Sequence, residues 1–374
     1  MNKQSPTYPS LHTGHNADHT VHNTDTVQRT TTTRPLTALL VGCGGISRAW
    51  LDAVRAIPDL TMAGFVDINP AAARARAAEY GWAEAMIGAD LESALAQTQP
   101  DIVFDCAVPE AHLPVTLTAL AHGCHVLGEK PLAATMAEAR RMVSAAEASG
   151  KLFAVMQNRR YDANIRRLTA FLRSGAIGRI TTVNADFFIG AHFGGFRDLM
   201  PHVLLLDMAI HTFDAARLIA DADPRAVYCY EWNPDGSWYA RDASAVAIFE
   251  MSEDIVFTYR GSWCAEGLRT TWESDWRVVG THGSVRWDGA EGFEAEVVAE
   301  SGAFFSKMRP VTLAPLATGD RVGGHAGAIL DFVNCVRTGA APETIAVDNI
   351  ESLAMVFGAI ESAGRKARVA MDEL

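Results

Sequence analysis

No stretch of this 374-residue chain approaches the roughly 20 consecutive apolar residues that span a bilayer, so no membrane-spanning helix is expected. Nor does it open with an apolar signal-peptide core and a small-residue cleavage site, so export is not expected. Positive charge is short as well. The 32 Lys and Arg against 44 Asp and Glu leave a formal net charge of −12, which disfavours nucleic acid and anionic membranes as partners. The six cysteines (Cys43, Cys106, Cys124, Cys229, Cys264 and Cys335) include no Cys-x-x-Cys pair, and reduced thiols in a cytoplasmic protein are the expectation. No internal repeat is present. What is there is ordinary for a soluble globular protein, 49% apolar and 20% charged, and long enough for two domains with a core each.

Residues 1–34 are a different material, rich in Thr, His, Asn and Ser and poor in large apolar residues, and read as a disordered leader. His12, His15, His19 and His22 have a spacing that would line one face of a helix. The intervening Thr, Gly and Asn are poor helix formers, so no metal site is expected there or elsewhere.

The ordered chain begins with a short apolar strand, Leu36 to Val41, followed by Gly42-Cys-Gly44-Gly45-Ile46-Ser47 and a helical pattern ending at Pro58. Strand, glycine turn and helix give a G-x-G-x-x-G match its meaning. Gly42 permits the tight turn and Gly44 lets the backbone approach a pyrophosphate at the helix N-terminus. Ser47 replaces the third glycine, so a slightly wider helix–strand packing is expected; a purely structural glycine turn is the alternative. Thr61 to Asp67 reads as a second strand ending in an acid, where a carboxylate would bind ribose hydroxyls and repel a 2′-phosphate. The alternative for Asp67 is an N-cap of the helix near Pro70, and Arg74 and Arg76 nearby keep NADP open. Further alternation of strands and helices to Met156 predicts a parallel, doubly wound sheet over 35–156, with Gly42, Asp67, Pro109 and Lys130 at carboxyl ends of strands.

From 157 the pattern changes to successive strands separated by turns, predicting an α/β domain over 157–374 with a large, mostly antiparallel open sheet and helices near 325–337 and 348–366. Inside it, the run from Val203 to Arg217 has no proline and is expected to be one helix. Asp207 and His211, at i and i+4, then share a face, and a carboxylate beside an imidazole supports general acid–base work. A structural Asp–His pair is the alternative. Asp214 and Arg217 read as ion-pair formers.

Three motifs in register, Gly42 to Ser47, Glu129-Lys130-Pro131 and Asp207-x-x-x-His211, resemble the glucose-fructose oxidoreductase/inositol dehydrogenase (Gfo/Idh/MocA) family from Leu36 to the C-terminus. Gln157-Asn-Arg-Arg-Tyr161-Asp and the Asp207 to Arg217 run look most like its inositol dehydrogenase branch. The resemblance implies a Rossmann domain binding NAD (NADP possible), and a second domain whose sheet mediates homodimers or homotetramers. The implied activity is oxidation of a secondary hydroxyl on a sugar or cyclitol, with a small-molecule sugar or polyol as substrate. Matched residue by residue, Gly42, Gly44, Gly45, Ile46, Asp67, Pro109, His112, Glu129 and Lys130 would hold the cofactor. Lys130 would also bind the reacting hydroxyl, His211 would take its proton, and Asp207 would bind substrate or orient the imidazole. Arg160, Tyr161, Arg197 and His202 are candidate substrate contacts, each with a structural role as the alternative. Met200-Pro201-His202 stands where many relatives carry glycines, and the segment from His192 to Asp198 also departs from the inositol enzymes. Two other activities compatible with the family are a non-catalytic dinucleotide-responsive regulator and a redox-neutral NAD-using glycosidase.

Overall fold

The computed structural model describes residues 34–317, 319 and 321–374; the leader, apart from Arg34, and its four histidines lie outside the described residues. The first half alternates strictly: β1 (Leu36–Val41), α1 (Ser47–Arg55), β2 (Leu60–Val66), α2 (Pro70–Glu79), β3 (Met86–Gly88), α3 (Leu91–Thr98), β4 (Ile102–Asp105), α4 (Pro109–Ala121), β5 (His125–Gly128), α5 (Met136–Ser149) and β6 (Phe153–Val155). Its strands form one parallel six-stranded sheet in the order β3-β2-β1-β4-β5-β6. Near-continuous apolar runs suit these strands because helices cover both faces. Local signals set the helix ends: Asn69, Asp90 and Thr135 cap α2, α3 and α5 through side-chain oxygens, and Gly150 closes α5 in the left-handed conformation. The strand order reverses between β1 and β4, so the crevice beyond their carboxyl ends is where an open α/β sheet binds its ligand.

The second half contains α6 (Ala163–Arg173), β7 (Ile180–Phe188), α7 (Ile210–Ala220), β8 (Pro224–Trp232), β9 (Ser244–Met251), β10 (Val256–Ser262), β11 (Asp275–Gly280), β12 (Gly283–Trp287), β13 (Phe293–Glu300), β14 (Lys307–Pro310), α8 (His325–Thr338), α9 (Ala346–Arg365) and β15 (Val369–Ala370). Its nine-stranded sheet runs β14-β13-β12-β11-β7-β10-β9-β8-β15, and only the β7–β10 pair is parallel. Strands alternate inward and outward. On β9, Ala245, Ala247 and Phe249 are buried, while Val246 and Ile248 are partly exposed. Phe213 of α7 packs edge-on against Phe249, Phe257 and Tyr259 at centroid distances of 4.9, 6.1 and 5.1 Å, fixing the helix to the inner face.

Helix α8 then returns to the first half. Ala328, Ile329 and Phe332 share one core with Leu36, Leu40, Trp50 and Val54, and Arg337 donates to the Pro58 carbonyl at 2.6 Å. A second, larger core runs from the opposite face of the first sheet through α5 and α6 into the second sheet.

Candidate functional site

The glycine turn has the shape a dinucleotide needs. Gly42 sits at φ +85°, and a Cβ there would stand 2.6 Å from the Cys106 carbonyl carbon and oxygen, so only glycine fits between β1 and β4. A Cβ on Gly44 or Gly45 would meet nothing within 4 Å, and both residues, with Ile46, are exposed, leaving an open cradle at the start of α1. Ser47 is fully buried and donates its hydroxyl to the Gly44 carbonyl at 2.6 Å, closing the turn from within. Asp67 accepts from the Cys43 and Asn69 N–H groups, at 2.8 Å each. The N-cap of α2 is therefore Asn69, not Asp67. Arg76 donates to the Cys43 and Gly44 carbonyls at 3.2 and 3.0 Å and pairs with Glu79, so its guanidinium is engaged beneath the turn. These groups fit NAD, with an open turn facing the diphosphate and a strand-end carboxylate for the ribose.

Pro109 opens α4 next to this turn. His112 lies deeper, 1% exposed, with Nδ1 2.8 Å from Asp105. Burial works against its charge, but Asp105 and Glu129 raise its pKa overall. Glu129 is also buried, and accepts from Trp50 Nε1 at 2.6 Å and from the Lys130 N–H at 3.2 Å. Its carboxylate thus fixes the turn that delivers Lys130, whose bond to Pro131 is cis.

Lys130 crosses to the second half. Its Nζ donates to Asp207 Oδ1 at 3.0 Å and to the Asp207 carbonyl at 2.9 Å. Arg197 Nε donates to the other carboxylate oxygen, Oδ2, at 2.5 Å, with its guanidinium over the rings of Phe193 and Phe196 at 5.1 and 4.7 Å. Burial opposes the Asp207 charge, yet Lys130 and Arg197 hold its pKa below the ordinary value.

The expected Asp207–His211 pairing is not formed. Asp207 is engaged by the two cations, and His211 Nδ1 is buried without a partner among the described residues. The helix also differs from expectation, because Leu204–Ala209 is a π-helical turn ahead of α7. One wide turn of this kind leaves the apolar pattern nearly unchanged, so sequence spacing does not show it. Burial, together with the positive charges of Lys130 and Arg159, holds His211 well below its ordinary pKa, so at neutral pH it is a neutral imidazole able to accept a proton.

Lys130, Arg197, Asp207 and His211 thus come together. Arg160 and Tyr161, candidate substrate contacts in the sequence, do not join them. Arg160 is buried in a bidentate pair with Asp214 at 2.8 Å, and the buried Tyr161 donates its hydroxyl to Asp331 at 2.8 Å. Asp214 and Arg217 form ion pairs, though with Arg160 and with Asp223 and Asp348 respectively. His202 turns its Nδ1 to Glu231 Oε2 at 2.5 Å. Two residues near His211 are not among the candidates read from the sequence, although Arg159 lies in the Gln157 to Asp162 run. Arg159 is buried and paired with Glu273 at 3.1 Å, and His325 opens α8, too distant in the chain for any motif to connect it. Gln157, at the carboxyl end of β6, is 1% exposed with neither amide atom hydrogen-bonded among the described residues.

Comparison with known proteins matches residues 36–157 to the GFO_IDH_MocA model, an oxidoreductase family with an NAD-binding Rossmann fold, and residues 165–286 to the GFO/IDH/MocA C-terminal domain. D-apiose dehydrogenase of Paraburkholderia graminis is 26% identical over 92% of this chain and 92% of its own. D-glucoside 3-dehydrogenase of Escherichia coli K12 is 31% identical over 50% of this chain and 55% of its own. The crystal structure of an Agrobacterium radiobacter oxidoreductase in complex with NAD+, L-tartaric acid and magnesium superimposes with a TM-score of 0.78. It is 21% identical, and the match covers 91% of this chain and 99% of that one, a likeness of fold.

Proposed function

Because this chain belongs to the Gfo/Idh/MocA oxidoreductase family, with its NAD-binding Rossmann domain, we propose that it oxidises a secondary hydroxyl of a sugar, sugar derivative or cyclitol. The observation that carries this reading is the Lys130–Asp207 contact bridging the two halves beside a neutral His211. Asp207 holds the Lys130 ammonium where a substrate hydroxyl would meet it, and the ammonium stabilises the oxygen as negative charge develops. His211, its pKa depressed, takes the hydroxyl proton. When bound, the nicotinamide accepts the hydride. Asp207 orients Lys130 and Arg197, not the imidazole, and Arg197 on its aromatic bed faces the substrate's polar groups. Sugar substrates are supported by the D-apiose and D-glucoside dehydrogenases named above. NAD is favoured over NADP because Asp67 brings negative charge to the ribose side while Arg76 is engaged below the turn.

Assembly through the second sheet completes the proposal. Tyr228, Tyr230, Val246, Ile248 and Val256 stand 36 to 56% exposed on the outer face of adjacent strands, a patch that a second copy would cover. The test of activity is NADH formation with a panel of aldoses, glycosides, sugar acids and cyclitols, each with NAD and NADP. Reduction by one class that disappears in Lys130→Ala is the expected result. Product release without NADH would instead favour the redox-neutral glycosidase, and cofactor binding with no turnover on any class would favour the regulator.

A further inference from the structure

Ahead of the π-helical turn, three segments distant in sequence converge on a second polar cluster. His202, Glu231 at the end of β8 and Asp242 just before β9 each offer a ligand atom, all within 4.8 Å of one another. Beside them lies a cavity of about 270 Å³ lined by Leu199, Pro201, His202, Arg241 and Asp242. Three features set the cluster apart from a surface ion pair. The Glu231 side chain is only 2% exposed, and its Oε1 has no partner among the described residues although Oε2 meets His202 Nδ1 at 2.5 Å. As the other oxygen of the same carboxyl group, Oε1 lies beside that contact. Asp242, facing the same point, makes no side-chain hydrogen bond or ion pair among the described residues. His202 itself is held at φ +51°, an uncommon conformation for a residue with a side chain.

A carboxylate this deeply buried with an unsatisfied oxygen calls for a cation. From this geometry we propose that His202, Glu231 and Asp242 form a binding site for a divalent transition-metal ion. One imidazole nitrogen with two carboxylates is a donor set for zinc or manganese, with water completing the coordination. Two carboxylates and a neutral imidazole balance the charge of such an ion. Without it, the His202–Glu231 contact occupies the position. Arg241 also lines this cavity and is the competing cation. The ion would act on position, not on the chemistry. The His202 carbonyl accepts from the Leu206 N–H at 2.9 Å, so holding His202 to β8 anchors the turn that carries Asp207 and leads to His211.

The test is calorimetric titration of the full-length protein with ZnCl2 and with MnCl2 at about pH 7, where an unperturbed imidazole is mostly free to ligate. Glu231→Gln and Asp242→Asn are run in parallel; the second changes a loop position at the cavity and keeps the test valid should the first fail to fold. The wild type is expected to bind one equivalent at the cluster and to melt at a higher temperature with it. Each variant should hold that ion at least ~10-fold more weakly. Ions taken by the N-terminal histidines are common to all three proteins and cancel. Equal stoichiometry and affinity in the three, or no uptake by the wild type, overturns the proposal, and neither result depends on dehydrogenase turnover.

Discussion

The glycine cradle is built from one short turn with its backbone open to solvent, whereas the proposed hydroxyl-binding side is built from side chains that arrive from separate segments. In the cradle, Gly42, Gly44, Asp67 and Arg76 are tied by hydrogen bonds to main-chain groups, and a ligand would meet open peptide at Gly44 and Gly45 with the Asp67 carboxylate at its edge. On the other side Lys130, Arg197 and Asp207 hold one another through charges, with His211 beside them, and what faces a ligand is titratable. A backbone site tolerates side-chain replacement and fails when the backbone moves. A charged site keeps its backbone and fails when a single group is removed.

Substitutions on the charged side should therefore abolish turnover and spare cofactor binding. Lys130→Ala is expected to lower kcat by about 10³-fold with NAD affinity within about twofold, checked by steady-state kinetics and by cofactor fluorescence titration. A parallel loss of NAD affinity would erase the distinction between the two sides. His211→Ala should cost about 10² to 10³ in kcat. The sign of the wild-type pH profile follows from the depressed His211 pKa: the base is neutral, hence active, above the ordinary histidine value, and activity falls only as pH drops further towards its lowered pKa. A profile that instead loses activity on lowering the pH through 7 would remove His211 from that role.

On the backbone side the expected failure is one of folding. Gly42→Ala forces a Cβ to 2.6 Å from a main-chain carbonyl at positive φ, and about 2 to 3 kcal/mol of stability should be lost in denaturant melts. Arg197→Ala, at the margin of the charged side, should raise KM by about tenfold, since a charge-assisted contact to substrate contributes about 1.5 kcal/mol or more. The smallest effect is sought at Asp67→Asn, which retains an acceptor for the Cys43 N–H and removes only the charge. The preference for NAD over NADP should fall by a few-fold, about 1 kcal/mol; an unchanged ratio would take the ribose role away from Asp67.

The same contrast explains what could be read from sequence. The cradle was legible because its parts follow one another: a strand, glycines at fixed offsets, a helix, and an acid at the end of the next strand. Lys130, Asp207 and His211 were legible as motifs, but their connection was not. The i, i+4 spacing pointed to an Asp–His pair, while the structure gives Asp207 to Lys130 and Arg197, a choice set by charges from other segments. Arg160 and Tyr161 carried polar groups suited to a substrate, and the buried acids that claim them, Asp214 and Asp331, lie too far along the chain to be assigned by spacing. The short strands β3, β14 and β15 carry almost no alternation for a sequence pattern to show.

The return of α8 to the first sheet has a consequence for synthesis. The strands of that sheet are complete once residue 155 has left the ribosome, yet the core shared by Leu36, Trp50 and Phe332 cannot close until the chain has grown past residue 332. At roughly 5 to 20 residues per second, the nascent dinucleotide half waits on the order of ten seconds or more with the outer face of α1 uncovered. A fragment cut after residue 157 would hold that state permanently, with the side of Trp50 and Val54 that α8 covers left open to self-association.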